Sequence, residues 1–389
     1  MAQHGWQWWG AAVFQGLEKR RTGFSKARKT LSSSFPSLGK TRQAPFQSLE
    51  ARGGSALIVV MWVLLILALL VTSMVYDMHV EASITAYQRN RVQAQQFAKA
   101  GAEFARYLLW KSVKVRPQLG MANGEDPDLF LMAVHLQRGM AVTNYVHEFG
   151  EEGSEGVEGK FTLTMIPEQA FRNINRLNPD TEWPLLLRQA GIPEDLYPEL
   201  VDCLMDWIDG NDTMRVNGAE NEDAFYVERG YPPKNAMLDT VEELLMIKGW
   251  TKAMVFGGLP LREGEDPLLG VGPLATVWGD GLINVNAASR EVLLTIPTVD
   301  ETVADDIITQ RTPENTEGTT DEGYRNVSEV FARTRTSRAL QGLFTTSEHR
   351  FMRVLVRGEC QGVHSGIRCV MWNDNRRFQP VFWREGEEP

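Results

Sequence analysis

Cysteine and histidine are scarce in this sequence, and the motifs of common enzymes are missing. The chain has 3 cysteines and 6 histidines in 389 residues, which excludes a small scaffold built on disulfides. The histidines are scattered, with no H-E-x-x-H motif for zinc, and neither G-x-S-x-G nor a phosphate-binding P-loop occurs. The sequence therefore predicts no enzyme active site.

Positive charge is scarce over most of the chain. Residues 1–54 carry nine Lys or Arg and two Glu, but the formal charge of the whole chain is −10. The remaining 335 residues therefore have a net charge of −17. A strongly acidic body repels nucleic-acid phosphates, so no nucleic-acid partner is expected. The length and the hydrophobic content of 43% suit two or three globular domains.

One long stretch lacks charge altogether. Ser55–Tyr76 has 22 residues without a charged side chain, enough for a helix that crosses a bilayer core of about 30 Å. The basic segment precedes this stretch, so the N-terminus is expected in the cytosol and the following residues outside it. A cleaved secretory signal is the alternative, but it would have a shorter apolar region and a small-x-small site.

Helical character continues beyond the apolar stretch. No proline occurs between Ser55 and Pro117, and apolar or small residues recur mostly every three or four positions, which predicts one amphipathic continuation to Trp110. The recurring positions are Ile84, Tyr87, Ala94, Ala98, Ala102, Ala105, Leu108 and Leu109.

The basic leader, residues 1–54, has two interpretations. Trp6–Trp9 and the following Lys/Arg/Ser-rich run could form an interfacial anchor or a tail that binds a partner. Alternatively, the start codon lies further downstream and part of the leader is an artefact.

The junction before the apolar stretch resembles the precursors of type IV pilin-like proteins. Arg52, Gly53 and Gly54 are followed directly by the apolar helix. In that family a prepilin peptidase cuts after the glycine and methylates the new N-terminus. The resemblance implies a cut between Gly54 and Ser55, with a cut after Gly53 as the alternative.

The fifth residue after the cut is unusual for that family. Pilins and pseudopilins ordinarily have Glu there, but this chain has Val59, or Ile58 in the alternative register. A carboxylate in the bilayer costs about 3 kcal/mol and needs a partner. In the family the partner is the terminal amine of the neighbouring subunit. A subunit without Glu suits the tip, where no subunit lies ahead.

Three longer motifs make the resemblance more specific. DWIDGNDTMRVNGAENEDAFY begins at Asp206, YPPKNAMLDTVEELLMIKGW at Tyr231 and GLINVNAASREVLLTIP at Gly281. From Gly54 to Arg384 the chain resembles general secretion pathway protein K, the large minor pseudopilin of type II secretion. Residues 1–53 have no counterpart there.

This resemblance implies a place and a set of partners. It implies a single-pass inner-membrane protein with a periplasmic C-terminal part that caps the pseudopilus tip, starts its assembly and supports export of folded proteins. The expected partners are the I- and J-type minor pseudopilins, the major pseudopilin, the prepilin peptidase and secreted proteins. A minor pilin of a type IV pilus or uptake system, and a membrane-anchored metal-dependent hydrolase, are the alternatives.

The expected fold class is α+β. The leader (1–54) is followed by a transmembrane and amphipathic helix (55–110). A pilin-like head then begins at 111–174 and is interrupted by an all-α insert (175–345). Strands at 346–389 complete the head. Two stretches of the insert, beginning at Asn173 and Ile283, resemble diverged copies. Each copy has the pattern of an apolar helix, a short turn and a second helix, which predicts SAM-like or helix-hairpin-helix packing.

An acidic loop lies between the two copies. Between Asp206 and Asp223 there are six carboxylates and three amides, oxygen ligands of the kind that Ca²⁺ prefers. The spacing is not that of an EF-hand, and a solvated acidic loop is the alternative. The resemblance implies calcium in this helical domain. The predicted ligands are Asp206, Asp209, Asp212, Glu222 and Asp223.

The cysteines allow one disulfide. Cys360 and Cys369 flank a predicted turn outside the cytosol, where a disulfide would stabilise the fold by about 2–3 kcal/mol. Two separate reduced cysteines are the alternative. Cys203 has apolar neighbours in the sequence and is predicted to lie in the core.

Overall fold

The structure is a computed structural model. It describes residues 55–117, 120–121, 124–150, 158–261, 264, 266–312, 319, 322–346, 350–373 and 377–386. The leader, including Gly53 and Gly54, lies outside the described residues. The predictions for the leader and its cleavage site therefore also concern residues outside that range. The chain divides into two units after Val75.

The long predicted helix is present. Helix α1 extends over Ser55–Lys114, four residues beyond the predicted end. Among the described residues it is the one helix that is long and apolar enough to cross a membrane. The side chains of its apolar part are exposed to the surroundings, with Leu57, Trp62 and Leu70 each more than 60% exposed. This exposure suits a lipid environment and not a protein core.

The second unit is built on an antiparallel sheet. Strands β1 (Val142–Phe149) and β2 (Gly159–Pro167) precede a long insert, and β7 (Phe351–Cys360), β8 (Val363–Asn373) and β9 (Phe378–Gly386) follow it. The strand order is β1-β2-β7-β8-β9. Three of these strands, β7 to β9, lie within 346–389, where strands were expected. Helix α2 (Pro127–Gln137), which was not predicted, begins at Asp126, whose side chain accepts hydrogen bonds from two backbone N–H groups.

The C-terminal half of α1 packs closely on one face of the sheet. Ala98, Ala102 and Ala105 are buried against alternate residues of β2, β7 and β8. Glycine makes the close approach possible: a Cβ on Gly358 would lie 2.1 Å from the Ala94 carbonyl oxygen. The predicted alanine stripe is therefore the sheet-facing side of the helix.

Substitution of Gly358 is expected to separate the helix from the sheet. In Gly358→Ala the new methyl group meets backbone atoms that cannot move aside, so we expect a loss of about 2 kcal/mol or more in the free energy of unfolding. Gly342→Ala is the control, because a Cβ at Gly342 meets nothing within 4 Å. Urea denaturation measures both, and equal stability of the two variants would contradict this packing.

The insert lies between the end of β2 at Pro167 and the start of β7 at Phe351. It contains two short parallel strand pairs, β3 (Arg172–Asn173) with β4 (Ala275–Thr276) and β5 (Ile283–Asn284) with β6 (Phe344–Thr345). Its helices are α3 (Trp183–Gln189), α4 (Tyr197–Ile208), α5 (Ala224–Arg229), α6 (Lys252–Phe256), α7 (Arg290–Leu293), α8 (Glu301–Arg311) and α9 (Val327–Arg333). Most of its buried apolar side chains form one core. Its assignment as SAM-like or helix-hairpin-helix stays a prediction.

The two sequence copies make the same hydrogen bonds. The Asn175 side chain accepts from the Leu238 N–H and donates to the Leu238 carbonyl, both at 2.9 Å. Asn286 makes the same pair of bonds with Tyr324, at 2.8 and 2.9 Å. Leu238 and Tyr324 each lie three residues before the next helical element. These matched contacts support the predicted duplication.

The disulfide predicted between Cys360 and Cys369 is wrong. All three cysteines are free and buried. In the β7–β8 hairpin Cys360 pairs with Val363, whereas Cys369 pairs with Val354. Six residues of strand therefore separate the two cysteines, roughly 20 Å, but a disulfide needs Cα atoms about 4.4–6.8 Å apart. The Cys360 thiol instead donates to Gln93 Oε1 at 3.1 Å.

Candidate metal centre in the acidic loop

Asp206 organises the acidic loop from its start. It lies in the last turn of α4 and is fully buried. Its two carboxylate oxygens accept the Arg215 N–H at 3.3 and 3.1 Å. A Cβ on Gly218 would lie 1.8 Å from Asp206 Oδ2, so the loop closes tightly over the carboxylate. Desolvation raises the pKa of Asp206 despite the backbone hydrogen bonds.

Glu220 is the most unusual residue of the loop. It is 6% exposed, and neither carboxylate oxygen has a hydrogen-bond partner in the described part of the protein. Desolvation is the first cause that raises its pKa, and the charges of Asp206, Asp209 and Asp212 raise it further. A buried carboxylate without a partner is costly. A bound cation would compensate for both the desolvation and the repulsion.

The exposed part of the loop supplies further oxygen atoms. Asp209 Oδ1 accepts from the Asn211 backbone and side chain at 3.2 and 2.7 Å, and Asn211 Oδ1 accepts from the Thr213 N–H at 2.9 Å. Asp209 and Asp212 lie near enough to Glu220 to raise its pKa. Three of the predicted ligands, Asp206, Asp209 and Asp212, therefore share one loop with Glu220.

The other two predicted ligands are placed differently. Glu222 is exposed. Asp223 caps α5 by accepting the Phe225 N–H at 2.8 Å, and it pairs with Lys248 Nζ at 2.8 Å. The hydrogen bond from Lys248 is the first cause that lowers the pKa of Asp223. Its negative charge is already balanced within the fold.

The loop has the donor set of a calcium site but is not a preassembled cage. Within the part of the chain that the structure describes, no three His, Cys, Asp or Glu side chains are already arranged around a metal position. Ca²⁺ takes six to eight oxygen ligands in flexible geometry, including amide and backbone carbonyl oxygens. Glu220 lacks a hydrogen-bond partner, the charges of Asp209 and Asp212 raise its pKa, and Asp206 holds the loop in place. Sequence reasoning missed Glu220 because only the fold shows that it is buried.

Val59, the expected fifth residue after the cut, lies in the apolar part of α1. Val59 is 60% exposed, and no charged side chain lies between Ser55 and Tyr76. The apolar part of α1 therefore carries no carboxylate for a neighbouring terminal amine.

The comparisons with known proteins agree with this architecture. Residues 168–260 match the family model described as type II secretion system (T2SS), protein K. A search among curated proteins finds no significant match. The fold resembles one chain of the solved GspK-GspI-GspJ complex from enterotoxigenic Escherichia coli, with a TM-score of 0.52 and 13% identity, over 78% of this chain and 99% of that chain.

Both findings point to the same likeness: the matched segment is similar to protein K of type II secretion, and the fold resembles that in a complex that contains GspK. Together they confirm the resemblance to protein K, a minor pseudopilin. The matched segment begins at Glu168, the first residue of the insert, and includes the whole acidic loop.

Proposed function

We propose that this protein is the tip subunit of a type II secretion pseudopilus, where it starts or caps assembly and supports export of folded proteins. The role is structural and not catalytic. The observation that carries the proposal is Val59, in a chain whose fold and family match are those of a minor pseudopilin. Without a carboxylate at this position, the subunit has no group to bind the terminal amine of a subunit ahead of it.

The size of the insert supports a place at the tip. It separates β2 from β7 by the whole of residues 168–350. A head enlarged in this way would not fit along a tightly packed filament shaft, but meets no such restriction at the end.

The proposed location and partners follow from the same assignment. The protein spans the inner membrane once, with its leader in the cytosol and its second unit in the periplasm. The matched structure is a complex of GspK with GspI and GspJ. We therefore propose I- and J-type minor pseudopilins as direct partners, with the major pseudopilin, the prepilin peptidase and secreted proteins as further ones. Ca²⁺ in the acidic loop is the proposed cofactor.

The first experiment determines the mature N-terminus by mass spectrometry after co-expression with a prepilin peptidase. We expect a chain that begins at a methylated Ser55, because the peptidase needs glycine beside the helix start. Gly54→Val is expected to remain uncut, and Gly53→Val is the matched control that is still cut. The opposite pattern would place the cut after Gly53. An uncut wild-type chain, or a cut beyond Tyr76, would overturn the proposal.

A second experiment tests the partners. The full chain, co-expressed with I- and J-type minor pseudopilins and extracted in detergent, should co-purify with both. Processing without co-purification would leave a pilin-like precursor and remove the proposed place at the tip. Co-purification with filament pilins of a type IV system instead would favour the alternative function, a minor pilin of such a system.

A further inference from the structure

The face of the sheet opposite α1 is rich in arginine. Side chains of β2, β7 and β8 that touch the helix alternate with side chains on the other face. On that other face, Leu355 of β7 pairs with Arg368 of β8, and Arg368 pairs with Arg384 of β9. The next row contains Arg357, followed by Gly366 and Gly386. We call Arg357, Arg368 and Arg384 the arginine face.

The insert neutralises only part of this surface. Arg368 Nη1 lies 3.4 Å from Glu242 Oε1, a residue of the insert. Arg357 and Arg384 are exposed, and no carboxylate in the described ranges forms an ion pair with either of them. Two full positive charges are therefore available to a ligand on a body whose net charge is strongly negative.

The arrangement is electrostatically unfavourable without an anion. Arg368 and Arg384 are direct cross-strand neighbours, and like charges in that position destabilise a sheet. Desolvation is the largest effect on the pKa of Arg368 and lowers it. The charges of the neighbouring Arg353 and Arg384 also lower this pKa, whereas Glu242 raises it. A carboxylate bound between the two arginines would reverse this repulsion.

A cavity borders the same row of residues. It measures about 240 Å³ and lies between the insert and the sheet. Its lining combines apolar side chains with both arginine and glutamate: Val241, Glu242, Val255, Phe256, Leu355 and Arg368. Phe256 at its border is 49% exposed. The two arginines that line it, Arg353 and Arg368, pair with glutamates, but Arg384 is the cross-strand neighbour of Arg368 and Arg357 lies two residues from Leu355. A largely apolar cavity at this place fits a peptide that presents an apolar side chain next to acidic ones.

We propose that the arginine face binds an acidic segment of a partner polypeptide, with its carboxylates on Arg357 and Arg384 and an apolar side chain in the cavity. Charge complementarity determines the choice of occupant. Outside the basic leader the chain has a net charge of −17, so its body as a whole repels acidic peptides, whereas this face attracts them. The proposal does not depend on the tip assignment, because it rests on the sheet register, the charges and the cavity.

The test measures binding of the peptide Glu-Glu-Leu-Glu-Glu to the full chain in detergent micelles by isothermal titration calorimetry. We expect Arg357→Gln/Arg384→Gln to weaken binding about tenfold, a loss of about 1.4 kcal/mol. Arg176→Gln/Arg229→Gln is the matched control, because it removes the same charge from exposed positions on the insert. The control should bind the acidic peptide like the wild type, and any binding of Lys-Lys-Leu-Lys-Lys to the acidic body should not be weakened by Arg357→Gln/Arg384→Gln.

Three outcomes would overturn the proposal. The peptide could fail to bind the wild type, or both double variants could weaken it equally, which would mean a general charge effect. Alternatively, vesicles with 30% anionic lipid could bind through the same arginines while the peptide does not, which would assign the face to a membrane surface. The single variant Arg384→Gln removes the cross-strand repulsion and should fold at least as stably as the wild type, so loss of binding there cannot reflect unfolding.

Discussion

Replacing Glu168 by Gln is expected to destabilise the second unit by about 3–5 kcal/mol, the usual cost of breaking a buried ion pair. Glu168 is fully buried and receives two hydrogen bonds from Arg353, at 3.0 and 2.9 Å. Arg353 also donates to the Ala275 carbonyl at 3.1 Å and stacks on Phe171 at 3.8 Å. The pair connects β7 with the insert. The variant leaves the arginine buried without its counterion.

Urea denaturation with circular dichroism measures this loss. The control is Glu194→Gln, which removes an exposed ion pair with Arg188 and should cost less than about 1 kcal/mol. Combining Glu168→Gln with Arg353→Met should recover part of the loss, because the buried charge is then removed. If Glu168→Gln proved as mild as the control, the pair would not be what fastens the insert to the sheet.

Calcium is expected to raise the unfolding temperature at pH 7 and to have a smaller effect as the pH falls through the raised pKa values of the buried carboxylates. The pKa values of Asp206 and Glu220 are raised in the folded state, mainly by desolvation. Without a cation, stability therefore falls as pH rises from the unfolded pKa values through the folded ones. A cation at 100 times its Kd adds about 2.7 kcal/mol where the carboxylates are charged.

Glu220→Gln tests whether the stabilisation by calcium depends on this one carboxylate. The neutral side chain removes the cost of a buried charge, so the variant should be more stable than the wild type in EGTA at pH 7 and should gain nothing from calcium. Glu222→Gln, on the exposed part of the loop, is the control and should retain the gain. An equal calcium response of the two variants would contradict a site centred on Glu220.

A spectroscopic readout is independent of stability. Trp207 follows Asp206 directly, is 2% exposed and lies 6.0 Å from the Tyr226 ring. Tb³⁺, which takes oxygen ligands as Ca²⁺ does, should luminesce when these rings are excited, and Ca²⁺ should displace it. The Glu220→Gln variant should lose most of the signal.

Local sequence patterns predicted much of the fold. The charge-free run and the small-residue stripe predicted α1, and strands were expected within 346–389, where β7, β8 and β9 lie. The duplicated Asn-x-Asn stretches were also visible, and their side chains make the same contacts in both copies. In each case the signal lies within a few neighbouring residues.

Register and burial were not predictable in the same way. Cys360 and Cys369 flank a turn, but the turn is two residues long, so the pairing of β7 with β8 moves Cys369 six positions away from Cys360. Asp223 looks like a ligand in the sequence, whereas Lys248, 25 residues away, neutralises it. In the sequence, Glu220 resembles an exposed residue of an acidic loop, whereas in the fold its side chain is buried.

By itself, the sequence determined the long apolar helix, the Arg-Gly-Gly junction before it, the absence of a carboxylate at Val59 and the acidic character of the loop. These depend on composition and short-range spacing, which a chain carries before it folds. Tertiary structure alone decided which carboxylate loses its water, which cysteines stay apart and which arginines become neighbours on one sheet face. Those properties arise from contacts between residues that are distant in the chain, because desolvation and charge coupling depend on separation in space.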